Sequence, residues 1–362
     1  MSEPVFALFA GGGTGGHTYP AVAVAQELVK RGHPRESLRF VGGRRGIEGR
    51  VVTEAGFEID LFAGRGLQRR MAWANVSAVL GAVSAFVHAW LLVRRYRPRI
   101  VIGFGGYASL PCVVAARARR VPTLVHEQDA APGLANRIGV RLGAHAAVSL
   151  FDTPLPNATL TGNPVRSSIA EIVRRPEHHP ALIAIYGGAQ GARTINRAAL
   201  DCYDRWRDRT DLTVHHVCGP RNEPECAALL LAQRKPDDAL GYELVPYEEH
   251  MPQLLARAAV AVCRAGAGTI AELTVAGVPS VLVPLPGSPS DHQMRNARTL
   301  ERAGAGVVVP DAECDGARLD AVVTALLADG GRLEEMGAAA KLLGRADAAA
   351  RVADLVEELA RA

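Results

Sequence analysis

Three metal-binding spacings are missing from the 362 residues: there is no D-x-D pair, no H-E-x-x-H and no C-x-x-C. A resident metal site is therefore not indicated. The six cysteines are Cys112, Cys202, Cys218, Cys226, Cys263 and Cys314. They are scattered through apolar or helical stretches, the pattern of buried free thiols in a reducing compartment. Aromatic residues are scarce, at 5%, and are not interleaved with the basic ones. That combination argues against nucleic acid as a partner. No basic n-region and no cleavage site precede the first apolar run, which argues against secretion. With 48% apolar and 22% charged residues, the chain is neither disordered, nor collagenous, nor a polytopic membrane protein. At roughly 150 residues per domain, its length corresponds to about two domains.

The net charge of +4 hides an asymmetry. Residues 1–160 carry 19 basic and 10 acidic side chains, a surplus of +9, and the remainder is −5. A basic half of this kind faces something anionic, such as nucleic acid, a phosphorylated ligand or a membrane surface. The same half holds 23 residues without a charge, from Met71 to Val93, flanked by Arg69-Arg70 and Arg94-Arg95. By length alone this is a candidate membrane span. A span there would cut the first glycine domain in its middle and, with a single crossing, would separate the two halves of the chain. On a helical wheel Trp73, Val76, Val79, Leu80, Val83, Phe86, Val87, Trp90 and Leu91 share one broad arc, and the opposite arc is mostly Ala, Gly and Ser with His88. Two readings remain. One is a helix buried against the sheet, with its small side close to a neighbour. The other is a partly exposed helix that dips Trp and Phe into a membrane interface, with Arg69, Arg70, Arg94, Arg95 and Arg97 meeting anionic headgroups.

One plan occurs twice. Val5-Phe-Ala-Leu-Phe-Ala10 is a short apolar run, followed by Gly11-Gly-Gly-Thr-Gly-Gly16, by Pro20 as a first helical residue and by a helix over Ala21–Lys30. Ala181-Leu-Ile-Ala-Ile-Tyr186 is likewise followed by Gly187-Gly-Ala-Gln-Gly191 and a helix over Ala192–Tyr203. The two loops begin 176 residues apart. A second echo joins Ile100–Gly105 and Val121–Val125 to Val260–Gly266 and Val278–Val283. Repeated βα units with glycine turns predict an α/β protein of two doubly wound, Rossmann-like domains facing each other across a cleft. The expected bounds are 1–160, a linker over 161–180, 181–345, and a C-terminal helix over 346–362 that packs back on the N-terminal domain. Ligands of such sheets sit at the carboxyl ends of the strands.

Gly11, Gly13 and Gly16 satisfy G-x-G-x-x-G between a strand and a helix, a spacing that lets an anion approach backbone N–H groups. A nicotinamide enzyme wants an acid after the second strand, but that strand ends in Gly42-Gly-Arg-Arg45. The paired arginines keep an NADP enzyme open as a rival reading. His17 reads either as a polar residue near a helix start or as a general base. Arg166 reads either as a surface residue of the linker or as a bidentate ligand of a diphosphate. Glu272 either complements a helix dipole or accepts ribose hydroxyls. Asp291-His-Gln293 and Asn296 form a polar cluster suited to sugar hydroxyls or to ordinary caps.

Seven motifs occur in order: Ala10-Gly-Gly-Gly-Thr-Gly-Gly-His17, Gly103-Phe-Gly-Gly-Tyr107, His126-Glu-Gln-Asp129, Thr161-Gly-Asn-Pro-Val-Arg166, Gly187-Gly-Ala-Gln-Gly-Ala192, Cys263-Arg-Ala-Gly266 and Asp291-His-Gln293. From about residue 5 to residue 345 the chain resembles the MurG family, the N-acetylglucosaminyltransferases of peptidoglycan synthesis. The resemblance implies a GT-B fold, no cofactor and no metal. It implies inverting transfer of GlcNAc from UDP-GlcNAc to the C4 hydroxyl of MurNAc in lipid I, giving lipid II. The implied partners are UDP-GlcNAc, lipid I, an anionic membrane surface on the cytoplasmic face, and cell-division or elongation complex proteins.

By position, the resemblance puts Thr14, Gly15 and Gly16 on donor or acceptor. Arg166 with Gly188, Ala189, Gln190 and Gly191 meets the diphosphate. Ala267, Gly268, Thr269, Ile270, Ala271 and Glu272 hold the nucleoside, with Glu272 on the ribose. Arg264, Asp129 and Gln293 belong to the donor site, Gln293 on the sugar, and Tyr247-Glu248 to the uracil pocket. His17 and Glu127 are the catalytic candidates, and Tyr107 and Asn136 lie on the acceptor side. Trp73, Leu80, Phe86, Trp90, Arg94 and Arg95 would meet the membrane. The chain departs from the family's usual residues at Ala189, usually Ser, at Asp129, usually Asn, and at Glu248, usually apolar. Beside the NADP enzyme, two further functions stay open: a paralogue with another lipid-linked or natural-product acceptor, and a non-catalytic membrane scaffold.

Overall fold

The computed structural model describes residues 5–44, 46–62 and 74–361, with the side chains of 74–82 left aside. Arg45, Arg69, Arg70 and Trp73 therefore lie outside the described residues, as does the side chain of Leu80.

The chain forms two compact units. The first comprises residues 1–166 and 346–362, the second Ser167–Arg345. Among its described residues the first unit holds seven parallel strands: β1 (Ala7–Ala10), β2 (Leu38–Gly43), β3 (Glu58–Phe62), β4 (Ile100–Gly103), β5 (Thr123–Glu127), β6 (His145–Val148) and β7 (Ala158–Leu160). Their spatial order is β3-β2-β1-β4-β5-β6-β7. β1 lies between β2 and β4, with Ala7 opposite both Leu38 and Ile100. Its helices are α1 (Gly15–Lys30), α2 (Glu48–Glu54), α3 (Ala74–Tyr96), α4 (Ser109–Ala118) and α5 (Leu134–Arg141). β1 and β4 are buried along their whole length, which is why they read as unbroken apolar runs rather than alternating ones. One face of the sheet packs Phe9, Phe40, Ile102 and Leu124 against α1, and the other packs Leu8, Val41 and Val101 against α3 and α4.

The second unit starts with α6 (Ser167–Ala170) and repeats the plan with six parallel strands: β8 (Ala181–Tyr186), β9 (Leu212–Val217), β10 (Gly241–Val245), β11 (Val260–Cys263), β12 (Ser280–Leu282) and β13 (Gly306–Val308). The order is β10-β9-β8-β11-β12-β13. Its other helices are α7 (Arg193–Trp206), α8 (Glu223–Gln233), α9 (Met251–Arg257), α10 (Ala267–Ala276), α11 (His292–Arg302), α12 (Gly316–Leu327) and α13 (Gly330–Leu343). Ile183, Ile185, Tyr203, Trp206, Val260 and Val262 form its core. All six cysteines are buried and free.

The last helix, α14 (Ala348–Arg361), belongs to the first unit and packs on α1. Val352, Ala353 and Val356 enter the core beside Phe9. Arg31 donates to Asp354 at 2.7 Å, to Glu357 at 3.2 Å and to the Ala350 carbonyl at 2.9 Å, and His33 Nε2 lies 2.8 Å from Glu357. One local expectation shifts. α1 begins at Gly15, ahead of the expected Ala21, so Pro20 lies inside the helix. This far into the helix the missing N–H costs the bond it would donate to Gly16, a loss that the burial of Thr18, Pro20, Ala21 and Val22 offsets.

α3 resolves the uncharged stretch. Its small residues Ala85 and Ala89, with Val93, pack against Ala108, Cys112, Ala115 and Ala116 of the α4 region. Small side chains let the two helices approach, and the large residues are left outside. Val83, Val87 and Leu91, each four residues from the next, are 55%, 47% and 52% exposed. Phe86 and Trp90 are half-buried at the margin, and the Arg119 guanidinium lies 5.1 Å from the Trp90 ring centroid. Arg94 and Arg95 are exposed in the last turn. Among the described residues no helix is long and apolar enough to cross a membrane.

Candidate functional site

Each sheet reverses its winding direction once, between β1 and β4 in the first unit and between β8 and β11 in the second. The carboxyl ends of those strand pairs are the switch points where open α/β sheets bind ligands. The loops at 11–14 and 104–108 stand at the first switch point, and those at 187–192 and 264–266 at the second. The glycine motifs thus fall where the topology opens a crevice.

At the first switch point the β1 loop and the β4 loop touch. A Cβ on Gly106, whose φ is +80°, would fall 2.1 Å from the Gly12 carbonyl oxygen, so only glycine permits the approach. His17, in the first turn of α1, sets its Nδ1 3.0 Å from that same carbonyl, and Thr14 Oγ1 lies 3.3 Å from the ring nitrogen. A carbonyl only accepts, so Nδ1 carries the proton and donates, and Nε2 of the neutral ring bears the lone pair. Nε2 points toward Gly105, where a Cβ would come within 3.0 Å of it. Tyr19, also on α1, is exposed, and the Arg166 guanidinium lies 5.8 Å from its ring centroid.

β5 ends in a buried polar network. His126 Nε2 donates to the Gly162 carbonyl at 3.0 Å, and its Nδ1 accepts from Gln128 Nε2 at 3.1 Å. Burial pushes the His126 ring down to about 4, against a smaller opposing effect of the Gly162 bond. The Gln128 amide also donates to the Phe104 carbonyl, tying the β5 loop to the β4 loop. Glu127 is 3% exposed and accepts from Asp129 N at 3.1 Å, Gly133 N at 2.8 Å and Asn136 Nδ2 at 2.9 Å. Burial raises its pKa, and these three donors counter the rise. In this geometry both Glu127 and Asn136, each a candidate for contact with substrate, shape the 128–133 loop. Tyr107 is half-buried just after Gly106, and burial raises its phenol.

The second switch point is braced from below. Asn222 Nδ2 donates to the Gln190 carbonyl at 3.1 Å and to the Cys218 carbonyl at 2.9 Å. Asn196 Nδ2 donates to the same Cys218 carbonyl, and its Oδ1 lies 3.0 Å from His216 Nε2. His216 Nδ1 lies 2.8 Å from the Tyr242 hydroxyl. Burial, assisted by His215, holds His216 down at about 4. This neutral chain fixes the 187–191 loop ahead of α7, with Gly188 and Gly191 at positive φ and Ala189 and Gln190 exposed between them. α10 starts at Ala267, so Gly268, Thr269, Ile270, Ala271 and Glu272 occupy its first two turns. Glu272 lies near Tyr186 and Cys263. Burial, then the Cys263 thiol and the Glu272 carboxylate, raises the Tyr186 phenol. Burial raises Cys263 to about 12 against the lowering effect of its bond with Tyr186, with Glu272 adding to the rise. Gln293 Oε1 accepts from Leu285 N at 3.0 Å, and Asn296 Nδ2 donates to the Ala265 carbonyl at 3.1 Å.

Two donor-site candidates turn their side chains elsewhere. Arg264 is buried and donates to the Val283 and Pro284 carbonyls and to Asp311. Glu248 sets its carboxylate 2.8 Å from His215 Nε2 and accepts from His250 N. Next to it, Tyr247 is exposed. One residue escaped the sequence reading: Glu48, whose carboxylate accepts from Gly13 N in the first glycine loop and from Gly43 N at the end of β2. No acid ends β2, and the nearest one faces this loop. The Gly13 N–H that a dinucleotide phosphate would use is thereby taken. Among the described residues no group of three His, Cys, Asp or Glu is arranged to hold a metal.

Two parallel Rossmann-like units in one chain, each presenting a glycine loop and a polar cluster at its switch point, define the two-domain GT-B fold. Residues 7–148 match the glycosyltransferase family 28 N-terminal domain and residues 182–352 the family 28 C-terminal domain. The chain belongs to glycosyltransferase family 28. It is 39% identical to the UDP-N-acetylglucosamine–N-acetylmuramyl-(pentapeptide) pyrophosphoryl-undecaprenol N-acetylglucosamine transferase of Desulforudis audaxviator, over 98% of each chain. The enzyme of the same name from Solibacter usitatus is 40% identical over 98% of this chain and 96% of its own. The crystal structure of Acinetobacter baumannii MurG superposes with a TM-score of 0.81 at 27% identity, covering 98% of this chain and 100% of that one.

Proposed function

We propose that the protein transfers GlcNAc from UDP-GlcNAc to the C4 hydroxyl of the MurNAc-pentapeptide in undecaprenyl-diphosphate-linked lipid I, forming lipid II with inversion at the anomeric carbon. The observation that carries this reading is the match, across 98% of the chain, to relatives named for that transfer. Inversion needs one attacking hydroxyl to lose its proton while UDP departs from the other side of the sugar. His17 takes the proton: its Nδ1–H is committed to the Gly12 carbonyl, so Nε2 is the basic nitrogen. The second unit receives the nucleotide. The 187–191 loop and the start of α7 offer peptide N–H groups to the diphosphate, and α10 sets Glu272 for the ribose hydroxyls. Preorganised donors of this kind stabilise the leaving diphosphate by about 3 kcal/mol each. Arg166, stacked on Tyr19, adds a bidentate cation. Gln293, in the first turn of α11 with its Oε1 on Leu285 N, offers its amide NH2 to the sugar.

The protein binds the cytoplasmic face of the cell membrane peripherally. The exposed Val83-Val87-Leu91 stripe enters the interface, Phe86 and Trp90 sit at its margin, and Arg94 and Arg95 meet anionic headgroups. Cell-division or elongation complex proteins are the partners this location brings within reach. The direct test is turnover in His17→Ala. With UDP binding kept at the wild-type Kd, kcat with lipid I falls by about 100-fold or more, the share of a general base. Wild-type kcat in that variant refutes the assignment of the base.

A further inference from the structure

Glu48 is a buried acid to which the proposed transfer gives no role. It is 2% exposed at the first position of α2. Its partners are peptide N–H groups: Gly13 N donates to Oε1 at 3.0 Å and to Oε2 at 3.1 Å, and Gly43 N donates to Oε1 at 2.8 Å. Three glycines make room for it. A Cβ on Gly12 would fall 2.2 Å from Oε1, one on Gly42 2.5 Å from Cγ, and one on Gly46 1.8 Å from Oε2. The carboxylate sits between the first glycine loop and the end of β2, on a loop N–H of the kind that elsewhere meets a phosphate.

The Gly13 N–H and the Gly12 carbonyl belong to one planar peptide group and point in opposite directions. The N–H end meets Glu48, and the carbonyl end meets His17 Nδ1 at 3.0 Å. One rigid plane therefore joins the carboxylate to the imidazole. A negative charge on the N–H side polarises the peptide and makes its carbonyl a better acceptor. That favours the Nδ1–H tautomer and raises the basicity of the ring. A base oriented by a third group is the logic of a catalytic triad, with a peptide inserted between acid and imidazole.

We propose that Glu48 is a positioning residue for His17, acting through the Gly12–Gly13 peptide. The proposal rests on the reading of His17 as the base. Its test uses the full-length protein in four forms: wild type, Glu48→Gln, His17→Ala and the double variant. A Gln at 48 keeps one oxygen for Gly13 N and Gly43 N but removes the charge. In Glu48→Gln, kcat falls about tenfold, the scale of losing a partner that orients a ligating imidazole. The acid limb of the kcat–pH profile moves to lower pH, and Kd for UDP is unchanged. In the His17→Ala background the same substitution has no further effect on kcat. An unmoved acid limb, or an equal loss in both backgrounds, reduces Glu48 to a brace for the loop and overturns the proposal. Glu48→Ala leaves a cavity beside the loop, so the charge-removing Gln variant carries the test whether or not the Ala variant folds. Wild-type turnover in His17→Ala is a separate result, and it removes the base as well as its positioning residue.

Discussion

Gly106→Ala is the most revealing single-atom change at the first switch point. Gly106 has φ +80°, and the added Cβ would sit 2.1 Å from the Gly12 carbonyl oxygen. A methyl carbon tolerates an oxygen no nearer than about 3 Å, so the two loops must separate by about 1 Å. The Gly12 carbonyl is the acceptor that holds His17 Nδ1, so the base moves with it. A misplacement of about 1 Å costs on the order of 100-fold in rate. The left-handed backbone adds a stability cost of about 1–2 kcal/mol for a residue with a Cβ. The effect is local to the first unit, so the affinity for UDP stays at the wild-type value. Steady-state transfer to a soluble lipid I analogue, with calorimetric UDP binding as the control, measures both. A folded Gly106→Ala enzyme with wild-type kcat would refute the coupling between the two loops and the base.

The two buried histidines set an acid boundary to stability. His126 and His216 are held at about 4 in the fold, against an ordinary value of 6.5. Between those values the unfolded chain takes up protons that the folded chain refuses. Stability is therefore complete above pH 6.5 and falls by about 1 kcal/mol per pH unit for each histidine as the pH drops toward 4. Melting temperatures recorded from pH 7.5 to 5 should decline below 6.5, and a flat profile contradicts the neutral assignment. At the membrane face, the triple change of Val83, Val87 and Leu91 to Ser releases the protein from anionic vesicles and leaves its melting temperature within a few degrees, because these side chains are about half exposed already. Undiminished vesicle binding by that variant eliminates the stripe as the contact.

The duplicated plan was legible because buried parallel strands are unbroken apolar runs with glycine at their carboxyl ends. Ala181–Tyr186 matches β8 residue for residue, and the 11–16 and 187–191 loops fall at the two switch points. What the sequence concealed depends on tertiary approach. Glu48 lies 35 residues from Gly13, and nothing local shows that α2 points its first carboxylate into the β1 loop. The only trace was an excess of glycine at 42, 43 and 46, around a position that no phosphate motif explains. Glu127 was visible in the His126–Asp129 motif and Asn136 only through the family resemblance, but their commitment to one loop rests on donors six and nine residues from Glu127. The 71–93 stretch was ambiguous for a physical reason. Apolarity marks both the packed and the lipid-facing side of a helix, and only the packing of Ala85 and Ala89 on α4 decides which side faces out.

The central claim is a transfer, and its product tests it most directly. Purified protein is given radiolabelled UDP-GlcNAc and a soluble diphosphate-linked MurNAc-pentapeptide, and the linkage of the product is read by NMR. The account predicts one UDP released per disaccharide formed and a β bond from GlcNAc to the C4 oxygen of MurNAc. Hydrolysis or epimerisation of UDP-GlcNAc without a disaccharide, or an α-linked product, contradicts it.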